Sequence, residues 1–133
     1  MKRTKKKSKK IILVMSILLV LILAIGIGTI LVVQNNLKSV SNIEINVDLS
    51  QVEDGVYEGS YSAFPVSASV KVVVQNHTIT DIQILEHNHG KGEDGEEIIY
   101  SVITSQSLDV DAVSGATFSS RVILFAIENA LKS

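Results

Sequence analysis

From Ile11 to Val33 the chain runs 23 residues without a charge, with only Ser16, Thr29 and two glycines interrupting its aliphatic side chains. As a helix rising 1.5 Å per residue, such a run reaches ~34 Å, enough to cross a ~30 Å hydrocarbon core with some tilt. A change of pattern follows. Residues 34–53 are polar with scattered aliphatics, which reads as a juxtamembrane spacer, with a short strand at Ile43–Val47. From Asp54 the pattern is that of β-structure. GVYEGSYSAF alternates in part, SASVKVVVQ (67–75) is rich in β-branched residues, and TITDIQILE (78–86) sets Ile79, Ile82 and Ile84 against polar neighbours. Asn76-His77 is the expected turn between the last two, since Asn tolerates a left-handed backbone. These stretches predict a three-stranded antiparallel meander with one apolar face.

Beyond Glu86 the period changes from two to 3.6. His87 to Glu97 is polar with three glycines and reads as a loop. Ile98, Ile99, Val102 and Ile103 predict a helix from near Glu93 to about Gln106. Ser107 to Gly115 reads as a second loop. Val122, Ile123, Ala126, Ile127, Ala130 and Leu131 then give a buried stripe to a last helix over about 116–131. Strands followed by helices predict an α+β domain, with two helices packed on a small antiparallel sheet behind an N-terminal transmembrane helix. The expected divisions are 1–10 basic tail, 11–33 transmembrane helix, 34–53 spacer and 54–132 folded domain. A piece beginning near Val47 is expected to fold alone, with the spacer adding nothing to its core.

Charge sharpens this picture. The net charge of −2 hides a strong asymmetry. Lys2, Arg3, Lys5, Lys6, Lys7, Lys9 and Lys10 hold seven of twelve basic residues, while all fourteen acidic residues follow the apolar run. Five basic against fourteen acidic residues from Gln34 onward give −9. Basic residues stay on the cytoplasmic side of a span, so the acidic part is expected outside the cytoplasm. The N-terminal lysines then face anionic lipid headgroups rather than nucleic acid, and the acidic domain offers phosphate backbones no basic face. A cleaved signal peptide has a shorter apolar region, ~7–15 residues, so an uncleaved anchor is the favoured reading. With no cysteine, disulfides, thiolate metal sites and lipoprotein anchoring are excluded.

The chemistry concentrates in Asp111-Ala112-Val113-Ser114-Gly115-Ala116-Thr117-Phe118-Ser119-Ser120. A glycine and small hydroxylated residues open an amphipathic helix here. The first N–H groups of a helix lack internal partners and its dipole is positive at that end, a combination suited to phosphate. Gly115 permits close backbone approach and Ala116 leaves the site open. The plainer reading makes Ser114 a simple N-cap. The Lys of a Walker motif is missing, which disfavours nucleotide hydrolysis.

This segment resembles the flavinylation motif, Asp-x-x-Ser/Thr-Gly-Ala-Thr, of the FMN-binding domain family, which includes flavin-bearing subunits of the Rnf and sodium-translocating NADH:quinone reductase complexes. Asp54-Gly55-Val56-Tyr57-Glu58-Gly59 is similar to that family's opening, and Thr78-Ile79-Thr80-Asp81-Ile82 to its strand after a tight turn. The likeness extends over about 54–132. It implies covalent FMN, esterified through its phosphate to Thr117, with Asp111, Ser114, Gly115 and Ala116 as recognition positions. It also implies a magnesium-dependent flavin transferase using FAD, and electron transfer from a membrane donor such as a quinone-linked dehydrogenase. Tyr57, Tyr61, Phe64, Tyr100 and Phe118 are candidates to contact the flavin ring.

His87 and His89, with Glu86 nearby, have a spacing that can hold a metal. Contacts near the flavin are the preferred reading of this loop. Two function classes remain: an extracytoplasmic electron carrier, and a non-redox binding or interaction module that retains the same fold.

Overall fold

The computed structural model describes residues 2–133, with side chains from Lys7 onward. The side chains of Lys2, Arg3, Lys5 and Lys6, on which the expected orientation partly rests, lie outside the described residues. Contacts divide the chain into residues 1–35 and 36–133.

Helix α1 (Lys2–Asn42) contains the apolar run. Over Lys7–Asn42 none of its apolar window is buried by protein, so one helix near the N-terminus is long and apolar enough to span a membrane. An uninterrupted apolar surface of this length suits lipid rather than water.

The second unit is the expected α+β fold. Strands β1 (Gly55–Ala63), β2 (Val66–Gln75) and β3 (Thr78–Asn88) form an antiparallel meander in the order β1-β2-β3. Alternation along β2 buries Val66, Ala68, Val70, Val72 and Val74 on one face. Ile79 and Ile82 extend that face on β3, across bulges opposite Ser69/Val70 and Val73/Val74. The β2–β3 turn places both Asn76 (φ 53°) and His77 (φ 57°) in the left-handed region, as a two-residue hairpin turn of type I′ requires. Asp54 fastens this turn by accepting from the His77 N–H at 3.2 Å. Backbone donors from Asn76 and His77 hold the Asp54 carboxyl below the usual carboxylate range.

A short 3₁₀ turn (Glu93–Glu97) leads into α2 (Ile98–Ser105), and α3 (Thr117–Lys132) closes the chain. The expected helix from Glu93 to Gln106 is therefore two pieces. Glu93, Asp94 and Glu96 occupy the tight first turn, where carboxylates suit the helix dipole. α3 lies across β1 and β2 and buries the predicted stripe, including Val122, Ile123, Ala126, Ile127, Ala130 and Leu131. A Cβ on Gly59 would collide with the Ala126 carbonyl oxygen and the Ala130 nitrogen, so only glycine lets α3 sit this close to β1.

Two expectations are corrected. Ile43–Val47 is not a strand. Its backbone groups are taken by side chains of α3: the Ile43 carbonyl accepts from Arg121, and the Asn46 N–H donates to Glu128 at 3.4 Å. Nor does the core begin at Val47, because Val40 and Ile45 are buried in it. Arg121 Nε and Nη2 also donate to the Val40 carbonyl at 3.0 and 2.9 Å, capping the last turn of α1.

Gln106 is a tie that local pattern does not reveal. It ends α2 with a left-handed backbone (φ 54°). Its Oε1 accepts from the Ile79 N–H at 2.8 Å, and its Nε2 donates to the carbonyls of Ile79 (2.9 Å) and Ile103 (2.7 Å). One side-chain amide thus satisfies both backbone groups of an edge-strand residue. Gln106→Ala should lower the unfolding free energy in urea by about 1–3 kcal/mol, because partly buried polar groups lose their partners. A change below about 0.5 kcal/mol would show that water replaces the amide at little cost.

Candidate functional site

The start of α3 is built by a turn and a buried hydroxyl. The Ala116 N–H donates to the Val113 carbonyl at 3.0 Å, closing a turn over Val113–Ala116. Gly115 within it has φ +81°, the positive value that a type II turn needs at its third position. A Cβ built on Gly115 would meet nothing within 4 Å, so the glycine answers to backbone conformation, and the space beside it is open. Ser120, fully buried, stitches the turn to the helix. Its Oγ accepts from the Val113 N–H at 3.0 Å and donates to the Ala116 carbonyl at 2.8 Å.

Ala116 is the N-cap, and no side chain caps the helix. Ser114 is therefore not the capping residue that the plainer sequence reading supposes. Thr117 is the first helical residue; it is exposed, and its hydroxyl has no partner among the described residues. The N–H groups of the first turn have no intrahelical acceptor, and the positive end of the helix dipole lies with them. Asp111 is exposed and lines an open groove with Tyr100, Ser101, Thr104, Asp109 and Val110. The structure thus brings Ser114, Gly115, Ala116 and Thr117 into one turn at the helix start, with Asp111 at the rim of the neighbouring groove.

The five aromatic candidates separate by environment. Tyr61 stacks on Phe125 at 4.8 Å, and the Tyr57 hydroxyl donates to the Glu53 carbonyl at 2.7 Å. Both tyrosines are engaged in packing. Phe64 is exposed in the β1–β2 turn, Phe118 is half-buried beside Thr117, and Tyr100 is 67% exposed at the groove that Asp111 shares.

Sequence reasoning missed Ser119 and Ser120 as structural elements of this site. Ser119 is buried, and its Oγ lies 3.2 Å from His87 Nε2. Gly92 and Gly95 press so closely on Ser119 that a Cβ on either would overlap it. The small residues after Thr117 and the glycines of the 87–97 loop are the signal: both sides of a tight contact lack bulk.

These features define a small α+β module presenting an unpartnered hydroxyl at a phosphate-compatible helix start. The model of the FMN-binding domain family matches residues 64–132, just over half of the chain. This chain belongs to that family and is a flavin-binding protein, with FMN as its cofactor. The match starts at Phe64, leaving β1 and the Asp54–Gly59 opening outside it. A protein of Treponema pallidum (strain Nichols), described as uncharacterized, is 29% identical over 86 residues, which is 62% of this chain and 24% of the relative. The similarity thus spans about a quarter of that relative's length.

Ser120→Ala should leave the Val113 N–H without its acceptor and loosen the turn that presents Thr117. Amide exchange at Val113 and Ala116 should accelerate, with a stability loss of about 1–3 kcal/mol. Unchanged exchange at Val113 would mean that the hydroxyl is not what holds the turn.

Proposed function

We propose that this chain is a membrane-anchored, extracytoplasmic electron-transfer flavoprotein whose FMN is joined through a phosphoester to Thr117. The observation that carries this reading is the exposed, unpartnered Thr117 hydroxyl at the first position of α3, directly after the Gly115 turn. The residues present fit a phosphate there. Open space surrounds Gly115, and Ala116 offers only a methyl group. First-turn N–H groups and the helix dipole stabilise negative charge at this end. The FMN, once bound, supplies the redox chemistry.

The protein's own residues then have separate tasks. Thr117 provides the ester oxygen. Gly115 sets the turn, and Ser120 fixes it to the helix. Asp111 and Ser114, both exposed, are accessible to a flavin transferase, the partner that this reading requires for loading. Phe64, Phe118 and Tyr100 are the aromatic candidates left available to an isoalloxazine ring, since Tyr57 and Tyr61 are used in packing. Covalent attachment suits a domain outside the membrane, where a dissociable cofactor is lost to dilution. The electron donor on this reading is a membrane dehydrogenase, such as a quinone-linked one.

Co-expression with a flavin transferase should give a fluorescent band that survives denaturing electrophoresis, and Thr117→Ala should abolish it. Thr117→Ser retains a nucleophilic oxygen and should keep part of the label, while Gly115→Val should reduce it by straining the turn. Peptide mapping should place the flavin on Thr117. Label on Ser114, Ser119 or Ser120, or persisting in Thr117→Ala, would overturn the assignment. A transferase that labels another family member in the same cells but never this chain would favour the non-redox interaction module.

The proposed side of the membrane has its own test. Protease added to intact spheroplasts should digest residues 34–133. Digestion only after permeabilisation would place the domain in the cytoplasm.

A further inference from the structure

The end of β3 and the 3₁₀ turn after it bring together three side chains to which the attachment of FMN at Thr117 assigns no task. Residues two apart on an extended strand project to the same side, and the His87 and His89 rings lie 4.5 Å apart. Glu96 reaches them from Glu93–Glu97, and one ligand atom from each of the three side chains lies within 4.8 Å of the others. Glu86, the carboxylate suggested by sequence proximity, is instead paired with Asn88 Nδ2 at 2.8 Å.

The state of each nitrogen is informative. His87 is almost wholly buried, its side chain 1% exposed, and both its ring nitrogens are engaged. Nδ1 lies 2.9 Å from Glu96 Oε1, and Nε2 lies 3.2 Å from Ser119 Oγ. His89 Nδ1 is buried and has no hydrogen-bond partner. An orphaned imidazole nitrogen beside a second imidazole and a carboxylate is costly without a further electron-pair acceptor. A cation satisfies all three groups together. Two imidazoles and one carboxylate form a donor set for Zn²⁺, with bonds of about 2.0–2.2 Å. Ligand atoms around such a tetrahedral ion stand roughly 3.3 Å apart, so separations of up to 4.8 Å contract by as much as about 1.5 Å to close the site. Glu96, 39% exposed, leaves room for water at the fourth position.

We propose that His87, His89 and Glu96 bind a divalent transition-metal ion of the Zn²⁺ class. Binding requires His87 Nδ1 as an electron-pair donor, so the His87 proton resides on Nε2 and is donated to Ser119 Oγ. Ser119 is thereby an outer-shell partner that fixes the His87 tautomer and ring orientation. It also sits in the first turn of α3, so the ion braces β3 and the 3₁₀ turn against the helix start that carries Thr117. Imidazole donors favour Zn²⁺ or Co²⁺ over Mg²⁺, which takes oxygen ligands.

The test uses the full chain without a histidine tag, in detergent micelles and produced without a flavin transferase, so that its outcome is independent of flavin loading. Calorimetric titration with ZnCl₂ should show one saturable site, absent with MgCl₂, and Zn²⁺ should raise the melting temperature. His89→Ala and Glu96→Gln should each weaken binding at least tenfold and remove the thermal shift. Ser119→Ala should weaken it about 10–100-fold, as for outer-shell partners of metal-bound histidine. Glu96 is partly exposed and Gln retains its hydrogen bonding to His87, so Glu96→Gln preserves the fold and decides the matter if His89→Ala does not fold. No saturable Zn²⁺ binding by the wild type, or equal affinity in Glu96→Gln, overturns the proposal and leaves His89 Nδ1 to a buried water.

Discussion

The close approach of α3 to β1 at Gly59 is the constraint on which the unit of residues 36–133 depends. Helix backbone lies directly on strand backbone there, because no side chain could occupy the space between Gly59 and the Ala126 and Ala130 backbone atoms. This sets the height of α3 over the sheet. The Ala126 and Ala130 side chains keep that face of the helix shallow, while Val122, Ile123 and Ile127 fill the flanking volume. Burying such side chains contributes roughly 1.5–3 kcal/mol each, but only in the register that the contact permits. The first turn of α3 inherits its position from this packing, so the exposure of Thr117 follows from a contact more than two turns further along the same helix.

From that fixed helix, polar side chains reach outward to organise segments without regular structure. Arg121 takes carbonyls from Val40, Ser41 and Ile43, lies 5.5 Å from the Phe125 ring centroid, and so joins the last turn of α1 to the core. Glu128 accepts from Asn46 and pairs with Lys132 one turn along. Asn129 donates to the Ser60 carbonyl at 2.9 Å. α3 therefore serves the fold twice: its apolar stripe closes the sheet, and its polar positions replace the ladder partners that residues 43–47 lack.

The strands, the last helix and the turn at Asn76-His77 were legible in the sequence because each is written in a local period or in one residue's backbone preference. Asp54, Tyr57 and Gly59 were legible only as part of a motif; their physical roles are the hairpin clamp, the bond to Glu53 and the helix contact. What stayed hidden depends on distance along the chain. Arg121 and Val40 are separated by 81 residues, Gln106 and Ile79 by 27, and His87 and Ser119 by 32. No window used to judge periodicity spans such gaps. The polar spacer was misjudged for the same reason: Val40 and Ile45 look isolated among polar neighbours, and the core cluster they join is drawn from strands and helices far along the chain. At the candidate site, the hydroxyl of Thr117 was legible from the motif, whereas the supporting hydroxyl of Ser120 resembled any small residue of a first helical turn.

The Gln106 amide has a consequence at the level of encounters between molecules. β3 is an outer strand of a three-stranded sheet, and an outer strand offers unpaired N–H and C=O groups to any extended chain that drifts against it. At Ile79 both groups are already taken by Gln106. A visiting strand must displace that amide before it can pair there, and the left-handed end of α2 holds the amide in place. Wherever copies of this domain are crowded and meet often, this blocked position hinders sheet-to-sheet joining of neighbouring domains.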